Sequence, residues 1–305
     1  MKTLNKSNKI ILAVLIAVMA VSIFVIIYFA VIGLAGSRKT PGEDTSAGQT
    51  DSQDSESGST ESETRPSAED IRPPEKPGKV IALTFDDGPS LSVTPEILDL
   101  LEKYDAKATF FTVGYNLIDS KIKILKRAIA MGCEIGNHSM DHPTSLEDLT
   151  DEEILWQIME VNEKLSALSP SGYVPTLMRP PSGSINRHVL DVLYEGGVRM
   201  YPILWNADSR DWEFNKRYQD GEITRDEAVN GAVELILSEA SNGGIVLMHD
   251  IKDITPDVLE RVLEELTAEG YTFVTVSELV HFEDMGDQAY FSKFFASDNI
   301  VPVES

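Results

Sequence analysis

Cysteine is almost missing. Cys133 is the single thiol in 305 residues, so the chain holds no internal disulfide framework. Basic side chains are also scarce: 26 Lys and Arg stand against 50 Asp and Glu, for a formal charge of −24. That balance disfavours nucleic acid and anionic lipid surfaces as partners. Large apolar residues are nearly absent from residues 36–78, which are rich in Ser, Thr, Glu, Asp, Gly and Pro. Such a composition cannot bury a core and predicts a disordered stalk with a root-mean-square reach of roughly 35–40 Å. No internal repeat stands out.

What is present begins with an apolar run. Residues 10–35 are broken only by Ser22, Tyr28 and Gly33, with Lys2, Lys6 and Lys9 before the run and Arg38 and Lys39 after it. As a helix it would span roughly 39 Å, enough for a bilayer core of about 30 Å with some tilt. The flanking lysines favour an N-terminus inside the cell. The expected organisation is a cytoplasmic end (1–9), a transmembrane anchor (10–35), the stalk (36–78), a globular domain (79–282) and a tail (283–305). The alternative is a signal peptide cleaved near Gly33-Leu34-Ala35, although the run is long for a signal core. Either way the globular part faces outward.

From Lys79 on, strand-like and helix-like segments alternate. Val80–Phe85 reads as a buried strand that meets Asp86-Asp87 and is broken by Gly88-Pro89. Side-chain alternation predicts that the two carboxylates point apart and take different jobs. Thr94 is the expected N-cap of a following helix, with Pro95 in its first turn. Further strands are expected over 107–114, 133–137, 198–205, 244–248 and 271–276, and helices over 121–131, 151–168, 186–194, 225–240 and 255–269. Repeated strand–helix units imply a parallel sheet with right-handed crossovers, in a closed or partly closed β/α barrel.

Polar residues gather after the strands. His138 and His142, four apart, would share one face of a helical turn that Pro143 ends, a spacing suited to chelation. An acid from another strand end, Asp87, would complete a three-ligand set with open positions, the pattern of a catalytic metal site. Asp/His/His ligation suits Zn2+ and is compatible with Co2+ or Mn2+. Arg179 precedes a Pro-Pro-Ser182-Gly183 bend, where Gly183 lets the backbone approach something closely. Asp208 and Asp211 follow one strand and His249 ends another. In a parallel sheet these ends share a rim. Read singly, each has an ordinary structural explanation. His188 and His281 read as structural or solvated, and Cys133 as a buried strand residue.

Five ordered motifs carry a resemblance: Thr-Phe-Asp86-Asp87-Gly-Pro, His138-Ser-x-x-His142-Pro, Arg179-Pro-Pro-Ser-Gly, Asp208-x-x-Asp211-Trp212 and Leu247-Met-His249-Asp. Over residues 79–281 the chain resembles the polysaccharide deacetylases, the NodB-homology or carbohydrate esterase family 4 domain. The resemblance implies an α/β fold, a distorted (β/α)7 barrel, and metal-dependent removal of acetyl groups from sugar polymers. Carried over by position, Asp87, His138 and His142 would bind the metal. Asp86 would be the general base oriented by Arg179, and His249 the general acid tuned by Asp211. Trp212 and Leu247 would line an acetyl pocket, and the Ser182 backbone N–H, in the bend with Gly183, would help bind the oxyanion. The family usually has Tyr where Ser182 stands, which bears on substrate preference more than on chemistry.

The outward anchor and stalk, together with the family resemblance, make peptidoglycan N-acetylhexosamine the expected substrate, with chitin oligomers and O-acetylated xylan as alternatives. A non-catalytic wall-binding module is the reading from another class. Such a module should have lost Asp86, a metal ligand or His249, and all are present. The tail carries Tyr290, Phe291, Phe294 and Phe295, and its role is open.

Overall fold

The computed structural model describes residues 78–169 and 172–280. The expected anchor, the stalk up to residue 77, His281 and the tail lie outside the described residues. Among the described residues, no helix is long and apolar enough to cross a membrane.

The fold is built on β1 (Lys79–Asp86), whose last six residues are all buried. Side chains alternate across it, and the two faces meet different surroundings. Ile81, Leu83 and Phe85 join the main core with Ile97, Leu98 and Leu101 of α1 (Val93–Lys103). On the other face, Ala82 meets Phe111, Leu177, Ile203 and Ile245. Both faces are covered, so β1 reads as one unbroken apolar run, as expected of a central parallel strand.

Parallel ladders place β2 (Ala108–Thr112) on one side of β1 and β7 (Gly244–His249) on the other. The sheet continues through β3 (Glu134–Asn137), β4 (Leu177–Met178) and β5 (Tyr201–Pro202) at one edge, and ends on β6 (Ala207–Asp208) beside β7 at the other. β8 (Tyr271–Phe273) pairs with the start of β1. The sheet therefore has eight strands, not seven, and several are only two residues long. Among the described residues no ladder joins β5 to β6. These strands lie at opposite edges yet are linked only by residues 203–206, which span at most about 18 Å fully extended. The sheet must curl until its edges nearly meet. It is a curled, partly open parallel barrel.

Helices supply the crossovers. α2 (Asp119–Ala130) precedes β3, α3 (Asp151–Ser166) precedes β4, and α4 (Arg187–Glu195) precedes β5. α5 (Asp211–Gln219) and α6 (Arg225–Glu239) lie between β6 and β7, α7 (Thr255–Ala268) follows β7, and α8 (Val276–Val280) follows β8. Capping boxes explain two helix starts. Thr150 with Glu153 opens α3, and Thr224 with Glu227 opens α6.

Several expectations need correcting. Ser92, not Thr94, is the cap position of α1; Thr94 is fully buried, accepting from the Ser90 N–H and donating to Asp250. The strand expected over 198–205 shrinks to Tyr201–Pro202 because the chain turns between sheet edges there. Helix α5 was missed, since Arg210, at φ 47°, reverses the chain just before Asp211. Cys133 is buried but sits just before β3.

Candidate active site

Asp86 is the last residue of β1, is 3% exposed, and faces the inside of the curled sheet, as Ala82 and Thr84 do. Arg179, just past β4, fills that interior and is fully buried. Its Nη1 donates to Asp86 Oδ1 at 2.8 Å and to Thr84 Oγ1 at 2.7 Å. Nε and Nη2 donate to the carbonyls of Ile203 and Leu204 at 3.0 and 3.1 Å. The guanidinium also lies 4.3 Å from the Phe111 ring centre. Burying a charge is costly unless it is paired and hydrogen-bonded, and here it is both. Arg179 holds Asp86 in one orientation and also ties down the link between the sheet edges.

Asp87 lies past the strand, at φ 75°. That left-handed turn brings its carboxylate back toward the Asp86 side. The expected divergence of the pair therefore fails: His138 Nε2 is 3.7 Å from Asp86 Oδ2 and 3.5 Å from Asp87 Oδ1. Strand alternation stops applying once the chain leaves the strand. Asn116 secures the turn by donating from its side-chain amide to the Asp87 carbonyl at 2.7 Å.

His138 and His142 are not on a helical turn. They sit in an irregular loop after β3, with Ser139 at φ 64° and His142 at φ 54°. The loop is held from both sides. Asn137 Oδ1 accepts from the Ser139 N–H at 2.8 Å, and Gln157 Oε1 accepts from the N–H groups of Met140 and Asp141 at 2.9 and 3.2 Å. The loop still delivers both imidazoles to Asp87, whose Oδ1 lies 3.5 Å from His138 Nε2 and from His142 Nε2.

The donor set fits a divalent metal on three counts. One ligand atom from each of Asp87, His138 and His142 lies within 4.8 Å of the others. His138 Nδ1 is 2.7 Å from the Arg179 carbonyl, an acceptor only, so that nitrogen carries the proton and Nε2 keeps its lone pair for the cluster. Burial pushes the Asp87 carboxyl pKa up, but the imidazoles of His138, His249 and His142 pull it down further, leaving it below the usual range and ionised. Asp87 is partly buried, His138 buried and His142 open to solvent.

Across the β1–β7 ladder, Asp86 pairs with His249. His249 Nδ1 lies 2.6 Å from Asp211 Oδ1, and the His249 backbone N–H donates to Asp211 Oδ2 at 2.8 Å. Asp211 is fully buried and also accepts from the Thr255 hydroxyl at 2.6 Å. Burial opposes a charged ring at His249, but Asp211 outweighs it, with help from Asp86 and Asp87, and raises the imidazole pKa from 6.5 to about 9. His249 is therefore a protonated acid at neutral pH. Asp208 stands apart, its Oδ1 accepting the Arg210 N–H at 2.8 Å.

Among the remaining expected residues, Ser182 and Gly183 form a tight 3-10 bend with successive left-handed φ values of 57° and 70°. A Cβ on Gly183 would lie 2.9 Å from the Trp205 ring, so the bend packs directly on that indole. Trp212 is 46% exposed in the first turn of α5, while Leu247 is buried within β7. His188 is a solvated rim residue, 3.0 Å from Asp151.

One residue was missed. Asp250 is 1% exposed and lies against the Asp86–Gly88 turn: its N–H donates to the Asp86 carbonyl, and any Cβ on Gly88 would fall 2.0 Å from its carboxyl. Burial raises its pKa to about 7, helped by Asp87 and Asp86. The signal was available, since Asp250 follows His249 in the motif already quoted.

With this geometry in hand, comparison with known proteins is informative. A family model described as polysaccharide deacetylase matches residues 74–201. A peptidoglycan-N-acetylglucosamine deacetylase of Bacillus cereus is 35% identical over 208 residues, which cover 67% of this chain and 90% of that one. The chain belongs to the polysaccharide deacetylase family. Another family member, the peptidoglycan-N-acetylglucosamine deacetylase PgdA of Listeria monocytogenes, is 38% identical over 221 residues, 72% of this chain. The alignment spans only 43% of the Listeria protein's length. A family 4 acetyl xylan esterase from Clostridium thermocellum, solved with a cobalt ion, superposes with a TM-score of 0.58 at 29% identity, covering 67% of this chain and 92% of that one.

Proposed function

We propose that this chain is a metal-dependent deacetylase of cell-wall polysaccharide. It hydrolyses N-acetyl groups of peptidoglycan hexosamines, from an outward-facing position tethered by residues 10–35. The observation that carries the reading is the meeting of three units on one rim: Asp87 with His138 and His142, Asp86 with Arg179, and His249 with Asp211.

A divalent cation held by Asp87, His138 and His142 would supply Lewis acidity, polarising a carbonyl and making water a stronger acid at neutral pH. Zn2+ is favoured by the two imidazoles and one carboxylate, and Co2+ or Mn2+ suits the same donors. Asp86, fixed by Arg179 and unable to swing away, takes a proton from the attacking water. His249 holds a proton on Nε2, because Nδ1–H is committed to Asp211, and donates it to the leaving amine. Such positioned groups contribute about 10²–10⁴-fold each. The N–H of Ser182, presented by the strained bend, helps hold the developing oxyanion, a donor typically worth about 3–4 kcal/mol. Trp212 and Leu247 flank the acetyl group. The backbone donor does not depend on the Ser182 side chain.

The test is acetate release from peptidoglycan and from chitin oligomers, before and after chelation, with zinc and cobalt restored. Release that disappears with the metal and returns with it is the expected result. Undiminished release from fully metal-free protein would overturn the mechanism. The esterase neighbour makes O-acetylated xylan the control substrate, and faster turnover on it would replace the substrate assignment.

A further inference from the structure

Asp87 and the two histidines come from separate loops, and one short segment touches both. It runs from the end of β2 through the 3-10 turn Gly114–Asn116 into α2. On one side it grips the turn after β1. The Val113 N–H donates to the Gly88 carbonyl at 3.2 Å, and Asn116 Nδ2 donates to the Asp87 carbonyl at 2.7 Å. On the other side it grips the histidine loop. The N–H groups of Gly114 and Tyr115 donate to the carbonyls of Ser139 and Met140 at 3.0 and 2.9 Å. This approach is too close for a side chain at position 114, where a Cβ would fall 2.3 Å from Met140 Sδ. Among these bonds only that of Asn116 comes from a side chain, and it ends on the carbonyl of Asp87.

The Asn116 side chain is held in turn. Lys121 Nζ donates to Asn116 Oδ1 at 2.6 Å. An ammonium only donates and a backbone carbonyl only accepts. The two contacts therefore allow the Asn116 amide one orientation, with Oδ1 toward Lys121 and Nδ2 toward Asp87. Lys121 stands in the first turn of α2, where the helix dipole disfavours a cation. Helix stability gives no reason for a lysine there, whereas the bond to Asn116 does. Both residues are half-buried, so water competes poorly for these bonds.

We propose that Asn116 and Lys121 are positioning residues that set how tightly the metal is held. Lys121 fixes the Asn116 amide, Asn116 fixes the left-handed turn at Asp87, and the turn aims the carboxylate at His138 and His142. Asp87 stands at φ 75°, a conformation that a residue other than glycine keeps only where its surroundings hold it. The inference rests on the metal-dependent reading and extends it to two residues outside the ligand set. Its sign sets it apart from a simple charge effect. Lys121 is a cation near a cation site, so by repulsion alone its removal would tighten metal binding. Acting through Asn116, its removal frees the amide to turn and loosens the metal.

Zinc dissociation constants are measured by competition with a chromophoric chelator at neutral pH. The proteins are full-length wild type, Asn116→Ala, Lys121→Met, Lys121→Arg and the Asn116→Ala/Lys121→Met double variant. Asn116→Ala is expected to weaken zinc binding about 10–100-fold, the usual cost of losing a partner that orients a ligand. Lys121→Met should weaken it about tenfold, and Lys121→Arg, which restores a charged donor, should recover most of that loss. The double variant should bind no more weakly than Asn116→Ala, because Lys121 acts through Asn116. Urea midpoints of the metal-free proteins should stay together. A fall in midpoint that tracks the zinc loss would make the pair structural only and overturn the proposal. So would zinc held as tightly by Lys121→Met as by wild type, or more tightly, and so would additive losses in the double variant. Each of these leaves the metal-dependent reading intact. Wild type that binds no zinc, cobalt or manganese would instead refute that reading, and the proposal with it.

Discussion

Replacing Asp211 by Asn should move the alkaline limb of activity by more than two pH units. Asp211 is buried, accepts hydrogen bonds from the His249 backbone and ring, and is the main reason the imidazole pKa rises from 6.5 to about 9. That rise is worth about 3 kcal/mol in favour of the protonated ring. Asn keeps the shape but not the charge. Burial then acts unopposed by Asp211 and drops the pKa to 6.5 or below. At pH 8 the wild-type ring is about 90% protonated, and the variant ring only about 3%. If His249 must donate a proton, kcat/KM at pH 8 should fall about thirtyfold from this cause alone, and the deficit should shrink steadily toward pH 5.5. Misorientation of the ring would add a loss that does not vary with pH, so the slope separates the two. The assay is kcat/KM on a soluble N-acetylglucosamine oligomer from pH 5 to 10. Parallel profiles for both proteins, each declining near pH 9, would refute the role given to the Asp211–His249 pair.

Other outcomes follow from the same geometry. Asp86→Asn should retain bound zinc, measured by elemental analysis, while turnover falls by about 10²–10⁴. His142→Ala should lose metal affinity while the fold persists, because His142 is half-open to solvent and caps no core. Arg179→Met should lower the urea midpoint by the equivalent of about 3–5 kcal/mol, because it strands a buried Asp86 and frees the carbonyls of Ile203 and Leu204.

The sequence made the rim legible because strand ends announce themselves. An apolar run that stops at a carboxylate or histidine places that group at the mouth of a parallel sheet, whichever family it belongs to. Thus Asp86, Asp87, His138 and His249 were all found at strand ends, and Arg179 after a short apolar stretch. What stayed hidden depends on backbone reversals. The left-handed turns at Asp87, Ser139, His142 and Arg210 redirect side chains against the rules of the adjoining element. No periodicity encodes them; some are held by distant partners, such as Asn116 for Asp87 and Gln157 for the histidine loop, and others by a neighbour's side chain, such as Asp208 for Arg210. The short strands β4, β5 and β6 were obscure for a related reason. Two residues carry no pattern, and tertiary pairing alone makes them strands.

Asp250 shows that the same residues serve fold and chemistry, and that the two compete. Four acids, Asp86, Asp87, Asp211 and Asp250, crowd one rim, and among the described residues Arg179 is the only permanent cation bound to any of them. Asp250 relieves the crowding by staying protonated, its pKa raised from 3.8 to about 7. The sign follows by linkage. Below pH 3.8 the group is neutral whether folded or not. Between 3.8 and about 7 the unfolded chain ionises and the folded one does not, so stability is lost as pH rises through this window, in total about 4 kcal/mol. His249 acts in the same direction over a later window: its raised pKa stabilises fully below 6.5 and is lost as pH rises to about 9. Metal-free protein should therefore become steadily less stable from pH 4 to 9, in contrast to a domain governed by surface carboxylates. Asp250→Asn keeps the Thr94 contact and removes the first ionisation. Urea unfolding of metal-free wild type and variant at pH 5 and pH 8 measures the difference. The variant should lose markedly less stability between those two values, and equal losses would show that Asp250 is not neutral in the fold.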